Sequence, residues 1–113
     1  MSANRRRGEI SAELDGAPHR LCLTLGALAE LEAAYAADDL AALVERFSTG
    51  RLSARDMIRI VGAGLRGAGE QVTDDAVGKM QSEGGAAGFA EIVADLLGTT
   101  FGRAANDETG PNP

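Results

Sequence analysis

The chain has 113 residues, of which 44% are hydrophobic, 25% charged and 4% aromatic, and its formal net charge is −6. This length supports one compact domain and excludes two, and the apolar fraction is too high for a wholly disordered protein. A single cysteine, a single histidine and the lack of a continuous apolar stretch of roughly 20 residues exclude a disulfide framework, a zinc site and a membrane span within one chain.

Charge is unevenly distributed along the sequence. Nine arginines balance nine acidic residues up to Gly69, whereas residues 70–113 hold two basic and eight acidic residues and carry the whole net charge. Such acidity disfavours nucleic-acid binding, which needs a net basic face. The basic, polar start lacks the apolar core of a secretory signal, so we expect a cytoplasmic protein. Residues 1–7 are predicted to be a flexible N-terminus, with contact between Arg5–Arg7 and an acidic partner as the alternative.

The first predicted element is a β-hairpin. Apolar and polar residues alternate from Glu9 to Asp15, which predicts a half-buried strand. A second alternation places three leucines on one face: Leu21, Leu23 and Leu25. Asp15 and Gly16 signal a turn, which Ala17 and Pro18 extend to a loop of a few residues. Because a lone hairpin is marginally stable in water, helices must cover its leucine face.

Five helices are predicted after the hairpin. An alanine-rich segment with leucines at helical spacing predicts the first over Gly26–Ala37, with Thr24 as its cap. The next three begin, in order, at Asp38–Asp39, at Ser53 with Asp56 completing a capping box, and at Thr73. They end, in the same order, at Ser48–Gly50, at Gly67 and Gly69, and at Gly84–Gly85. The core face of the fifth consists of Phe89, Ile92, Val93, Leu96 and Leu97.

The predicted fold is therefore α+β: a two-stranded hairpin followed by about five short helices in one mostly helical domain over residues 8–101. The polar composition of residues 102–113 predicts a disordered tail.

No group of residues predicts catalysis. His19 and Cys22 are the one nucleophile and base pair to consider, and an offset of three along a strand sends their side chains to opposite faces, roughly 10 Å apart. Asp38–Asp39 and Asp74–Asp75 could suggest acid–base chemistry or a divalent cation, but both pairs lie at helix starts, where capping and the helix dipole explain them. We predict no enzyme and no catalytic, cofactor-binding or metal-binding residues.

A glycine motif in the third helix imitates a dinucleotide-binding loop. Gly62, Gly64 and Gly67 satisfy the G-x-G-x-x-G spacing. That motif needs a strand before it, a helix after it and an acidic residue on a second strand about 20 residues later. Here a helix start precedes the glycines and no apolar strand follows them. Close helix packing is the preferred interpretation, and a nucleotide-binding regulator using Gly62–Gly69 is the remote alternative.

One surface feature remains as a candidate site. At about 100° per residue, Arg55, Arg59 and Arg66 fall within an arc of roughly 40° beside the apolar face of the third helix. This arginine stripe is either a solvated face that pairs with the acidic half of the chain or a docking strip for an acidic partner helix. These three arginines are the predicted partner-binding residues.

Three segments resemble the gene transfer agent family of phage-derived proteins, grouped with phage tail tube proteins and similar in role to tail assembly chaperones. The segments are L-T-L-G-A-L-A-E-L-E (Leu23–Glu32), D-D-L-A-A-L-V-E-R-F (Asp38–Phe47) and G-R-L-S-A-R-D-M-I-R-I-V-G-A-G-L-R-G (Gly50–Gly67). The resemblance spans Asn4 to Gly98 and includes no catalytic signature.

The resemblance implies a role in building the tail of a phage-like particle. The chain would be either a chaperone that holds the tape-measure protein until the tube polymerises, or a tube subunit that stays in the particle and contacts its own copies. A tube subunit resembles a β-sandwich whose sheets join around a ring, whereas this chain has two convincing strands. Amphipathic helices suit a helix-in-groove binder of a long helical protein, so the assembly chaperone is preferred.

Overall fold

The computed structural model describes residues 3–102. Its elements, in chain order, are a 3₁₀ turn (Arg5–Arg7), β1 (Glu9–Leu14), β2 (Ala17–Cys22), α1 (Leu25–Tyr35), α2 (Leu40–Ser48), α3 (Ala54–Gly67), α4 (Asp74–Gly78), α5 (Gly85–Leu97) and a π-helical turn (Gly98–Gly102). The predicted α+β fold, a hairpin followed by five helices, is confirmed. Of the tail predicted over residues 102–113, only Gly102 belongs to the described residues, so the prediction of disorder lies outside them.

β1 and β2 are joined by a two-residue turn, so the prediction of a longer loop is wrong. Asp15 and Gly16 have φ angles of 56° and 76°, the left-handed pair that a type I′ turn requires. The strands are antiparallel, with Leu14 opposite Ala17. Pro18 is therefore a strand residue. Counting residues along β2 from the turn, the backbone of Pro18 faces away from β1. Its missing N–H therefore removes no hydrogen bond between the two strands.

Four helices have the N-terminal side-chain caps that the sequence predicts. The capping oxygens and the N–H groups that donate to them are Thr24 and Ala27 (3.1 Å), Asp39 and Ala42 (2.9 Å), Ser53 and Asp56 (3.1 Å), and Thr73 and Ala76 (3.1 Å). The Ser53 N–H also donates to Asp56 Oδ2 at 2.8 Å, which completes the predicted capping box. Each cap satisfies an N–H group that lacks a partner inside its helix.

α3 lies at the centre of the core. The hairpin, α1, α4 and α5 pack around its run of consecutive buried residues, which are Ile60, Val61, Gly62, Ala63, Gly64 and Leu65. Two glycines permit close approach of the neighbouring elements. A Cβ atom on Gly64 would lie 2.8 Å from Leu96 Cδ2, and a Cβ atom on Gly67 would collide with the backbone carbonyl of Cys22. The glycines of α3 therefore allow packing, as the preferred interpretation of the motif predicts.

Leu25 does not join the leucine face of the hairpin, so its predicted position is wrong. β2 ends at Cys22, Leu23 is buried beyond the strand, and Thr24 then caps α1. Leu25 is consequently the first residue of α1, and 78% of it is exposed. Ala27 occupies the buried position in its place. The chain therefore changes from the two-residue period of a strand to the 3.6-residue period of a helix two residues earlier than the alternating leucines indicate.

α4 ends at Gly78, so the prediction that it ends at Gly84–Gly85 is wrong. Gly84 has a φ of 89° and precedes α5, which begins at Gly85. The segment between the two helices returns to the hairpin turn, where the Asp15 N–H donates to the Gln81 carbonyl at 2.7 Å. Pairing with the hairpin competes with continuation of the helix and shortens it.

Arg5–Arg7, which lie within the predicted N-terminal segment 1–7, contact the end of α5. Arg5–Arg7 form a 3₁₀ turn capped by Asn4. Arg5 Nη2 lies 2.6 Å from Asp95 Oδ1 and donates to Thr99 Oγ1 at 3.0 Å, which connects the turn to the end of α5. The nearest acidic partner of the basic run is therefore in the chain itself.

Candidate partner-binding site

The three arginines of the predicted stripe lie on α3, but their environments differ. Arg66 is eleven residues from Arg55, which corresponds to about 17 Å along the helix axis. Arg66 and Arg59 contact neighbouring elements, whereas Arg55 is exposed. The stripe is therefore not one uniform solvated row, although all three residues share a side of α3.

Arg66 joins α1 and α3 to the start of α4. Its Nη2 donates to Glu30 Oε1 at 3.0 Å, and its Nη1 donates to Asp74 Oδ1 at 3.1 Å and to the Val72 carbonyl at 2.9 Å. Burial lowers the pKa of Arg66, but the hydrogen bonds to Glu30 and Asp74 outweigh it and raise the pKa above its ordinary value. Because its guanidinium contacts groups of the same chain, we assign Arg66 a structural role.

Arg59 belongs to a cluster around the only tyrosine of the chain. The guanidinium carbons of Arg46 and Arg59 lie 4.9 Å and 5.2 Å from the centroid of the Tyr35 ring, which are cation–π distances. Phe47 contacts the same ring edge to face at a centroid distance of 5.3 Å. We call Tyr35, Arg46, Phe47, Asp56 and Arg59 the Tyr35 cluster; it joins α1, α2 and α3.

Asp56 is the buried anion of the Tyr35 cluster. Only 4% of the residue is exposed, and Tyr35 Oη donates to its Oδ1 at 2.5 Å while Arg46 Nη2 lies 3.5 Å from the same oxygen. Burial raises the pKa of Asp56, but hydrogen bonds from Tyr35 and Ser53 and the charge of Arg46 together hold it below its ordinary value. Asp56 is therefore ionised at neutral pH and links the α3 cap to the cluster.

The same contacts affect Tyr35 in the opposite direction. Burial, and then the hydrogen bond to Asp56, raise the pKa of Tyr35 to about 12, against the smaller opposing effect of Arg59. The hydroxyl is thus a fixed donor at neutral pH and a poor general base. Neither Tyr35 nor Arg46 is among the predicted site residues. Tyr35 follows the helical spacing of the α1 leucines, and Arg46 stands beside the apolar face of α2.

Arg55 is the member of the stripe that remains available to a partner. Its side chain is exposed at the second position of α3, and no ion pair within residues 3–102 includes it. Partner binding by the three arginines stays a prediction, with Arg55 as the residue whose geometry suits it best.

The glycines of the motif lie inside α3, so they do not form a phosphate-binding loop. Gly62 faces the Arg66 and Asp74 side chains, and the helix ends at Gly67 instead of beginning there. A dinucleotide site needs the N-terminus of a helix to point at the pyrophosphate. In α3 that end lies at Ser53, far from the glycines.

His19 and Cys22 contact different parts of the molecule. His19 is in β2, where its Nδ1 lies 3.0 Å from Glu70 Oε1. The Cys22 thiol donates to the Arg7 carbonyl at 3.5 Å, and burial is the main cause that raises its pKa. A thiol with a raised pKa is a weak nucleophile at neutral pH.

Residues 3–102 contain neither a metal-binding cluster nor a membrane-spanning helix. No group of three or more His, Cys, Asp or Glu side chains there could hold a metal ion. No helix of that part of the chain is long and apolar enough to cross a membrane. The acidic pairs lie at helix starts, where Asp39 caps α2 and Asp74 pairs with Arg66.

The model of the family described as "Phage tail tube protein, GTA-gp10" matches residues 7–103, nearly the whole described chain. No curated protein and no solved structure matches the chain. The matched range covers β1 to α5, including all three segments that carry the resemblance seen in the sequence. The chain therefore belongs to the phage tail tube protein, GTA-gp10 family, and has a tail-related structural role.

Proposed function

We propose that the chain is a non-enzymatic tail assembly chaperone that binds the tape-measure protein of a phage-like particle in the cytoplasm of the producing cell. The proposal includes no cofactor, nucleic acid or membrane. Family membership supports the connection with a phage tail. The fold supports the preference for a chaperone over a tube subunit.

The preference for a chaperone over a tube subunit rests on how this chain covers the outer edges of its own hairpin. β1 and β2 form the only sheet of residues 3–102, so each strand has an outer edge that another copy would need to extend a sheet. Leu14 of β1 instead bridges to Ser82, and the Cys22 carbonyl of β2 packs against Gly67. Because the chain itself covers one end of each edge, the hairpin suits a closed domain better than a sheet shared around a ring.

A chaperone role uses the helical part of the molecule. Tape-measure proteins are long and helical, as the resemblance implies, and an amphipathic helix binds a surface made from helices through an apolar face with polar flanks. Arg55 supplies an exposed cation for such a partner. Arg59 lies one helical turn after Arg55, with its guanidinium over the Tyr35 ring.

Co-expression with the tape-measure protein tests the proposal. We expect the two proteins to co-purify and the tape-measure protein to become more soluble. Arg55→Glu should reduce the recovered tape-measure protein several-fold at an unchanged melting temperature, because it reverses an exposed charge. Arg51→Glu, an exposed arginine before α3, is the matched control and should retain recovery. Absence of co-purification with the unmodified chain would contradict the chaperone role.

The alternative is a tube subunit that forms homo-oligomers, which the tail tube character of the family favours. In that case the chain would be incorporated in the particle in a fixed ratio to the other tail proteins. Stoichiometric presence in purified tails would support the subunit role and exclude the chaperone.

A further inference from the structure

A groove between α3, α4 and α5 is lined throughout by apolar residues. Its principal side chains are Met57, Ile58, Val77, Met80, Ala86 and Phe89. Its volume is about 160 Å³. A cavity of about 150 Å³ with similar apolar walls binds a benzene ring. The groove therefore has room for one large apolar side chain.

The walls of the groove are adaptable and partly open to solvent. Met57, Ile58, Met80 and Phe89 are half-buried, so they contribute to the core and still present surface outward. Unbranched methionine side chains adjust to different partner shapes, which makes them frequent at helix-binding surfaces. At its rim, the exposed Ala86 leaves the entrance free of a large side chain.

The exposed charged residues next to lining residues in the sequence are positive, although the chain as a whole is acidic. Four charged residues adjoin lining residues in the sequence: Arg55, Asp56, Arg59 and Lys79. Asp56 is buried in its capping box and Arg59 stacks on Tyr35. Arg55 and Lys79 are exposed and lie on α3 and just after α4 respectively. Attraction to a partner at this rim therefore favours acidic residues.

The C-terminal segment of this chain does not have the composition to fill the groove. Residues 103–113 include two acidic residues, but no leucine, isoleucine, valine, methionine or aromatic residue. An occupant needs both acidic groups for the rim and large apolar groups for the interior.

We infer that the groove of α3, α4 and α5 receives the apolar face of a partner helix whose flanking residues are acidic. The inference deepens the proposed function and rests on it for the identity of the partner as the tape-measure protein; the chemistry of the partner follows from the groove itself. One large side chain of that apolar face enters the groove, and acidic residues on either side of it pair with Arg55 and Lys79.

A designed peptide pair tests the chemistry of the groove with the full chain. The first peptide is a helix of about 18 residues with leucines on one face and glutamates on both flanks, and the second replaces each glutamate by lysine. Fluorescence anisotropy should show that the glutamate peptide binds at least about tenfold more tightly. The double variant Arg55→Glu/Lys79→Glu should reverse this preference. Equal affinity for the two peptides, or no binding of either, would overturn the inference.

Filling the groove provides a second test. Ala86→Trp should weaken binding of the glutamate peptide at least about tenfold, whereas Ala87→Trp, exposed next to it on α5 and outside the groove, should leave the affinity unchanged. Ala54→Trp fills the groove from α3 and replaces the first variant if its melting temperature falls. Unchanged affinity in the filled variants would show that the peptide binds elsewhere.

The same variants separate this inference from the proposed function. Tape-measure protein that co-purifies equally with the unmodified and the filled chains would retain the chaperone role and overturn the groove as its site. Peptide binding that depends on the groove, without any co-purification of tape-measure protein, would support the groove and overturn the chaperone role. Self-association that disappears in Ala86→Trp would identify a second copy as the occupant and overturn the inference.

Discussion

Tyr35 shows how one side chain joins three helices. It receives two arginines against its ring, a phenylalanine at its edge and a carboxylate at its hydroxyl. Each partner comes from α2 or α3, so the contacts depend on how the helices pack. Sequence patterns revealed the buried stripe of each helix, but not which polar residues at the margins of the stripes would meet.

The titration of Tyr35 tests this cluster directly, because the chain has one tyrosine and no tryptophan. Tyrosinate absorbance should report a midpoint of about 12 in the folded protein. The unfolded pKa is about 10, so the stability that the protonated hydroxyl contributes is complete below about pH 10 and is lost as the pH rises to about 12. Asp56→Asn should lower the midpoint towards the ordinary value. A midpoint near 10 in the folded, unmodified chain would contradict the cluster.

Gly67 is a second residue whose identity depends on tertiary contact. Gly67→Ala should reduce the free energy of unfolding by about 1–3 kcal/mol, because the added methyl group meets the Cys22 carbonyl and the backbone must move. Gly26→Ala is the matched control in α1. Its nearest atom, Thr24 Oγ1, is 3.9 Å away, so this variant should gain up to about 1 kcal/mol. Chemical denaturation measures both, and equal effects would contradict the proposed packing.

At the scale of elements, local signals predicted the starts of helices better than their ends. A cap is made by residues three positions apart, so Thr24, Asp39, Ser53 and Thr73 could be identified from the sequence alone. The end of α4 depends on pairing of the following segment with the hairpin, about 66 residues earlier in the chain, as in the bond between Gln81 and Asp15. Such long-range pairing leaves no periodic signal in the sequence.

The arginine stripe illustrates the same limit on α3. Helical geometry correctly placed Arg55, Arg59 and Arg66 on one side, but their separate roles follow from α1 and α4. The stripe is therefore a feature of one helix that the packing of the other helices divides into structural and exposed positions.

Arg66→Met tests the structural role within the stripe. The variant removes hydrogen bonds to Glu30, Asp74 and the Val72 carbonyl while retaining much of the apolar stem, so unfolding should become easier by about 1–2 kcal/mol. Arg55→Met is the matched control and should change stability by no more than about 0.5 kcal/mol. Both values come from thermal or denaturant unfolding. Equal losses would show that Arg66 is no more structural than Arg55.

At the scale of the whole molecule, the fold separates a closed hairpin side from an open helical side. The hairpin packs on α3 and has its edges partly covered, while α3, α4 and α5 present an apolar groove. The sequence predicted the fold class and the family from its periodicity and motifs. It did not reveal the groove, because Met57, Met80 and Phe89 come from elements whose relative placement no local pattern specifies.

We propose that this tail protein assists assembly and is absent from the finished particle. Quantitative mass spectrometry of purified mature particles measures this directly, with cell extracts from the same culture as the reference. We expect the chain to be present with the tape-measure protein in the extract and absent from the mature particles. A fixed, stoichiometric ratio of this chain to the other tail proteins in mature particles would contradict the chaperone role and identify a tube subunit.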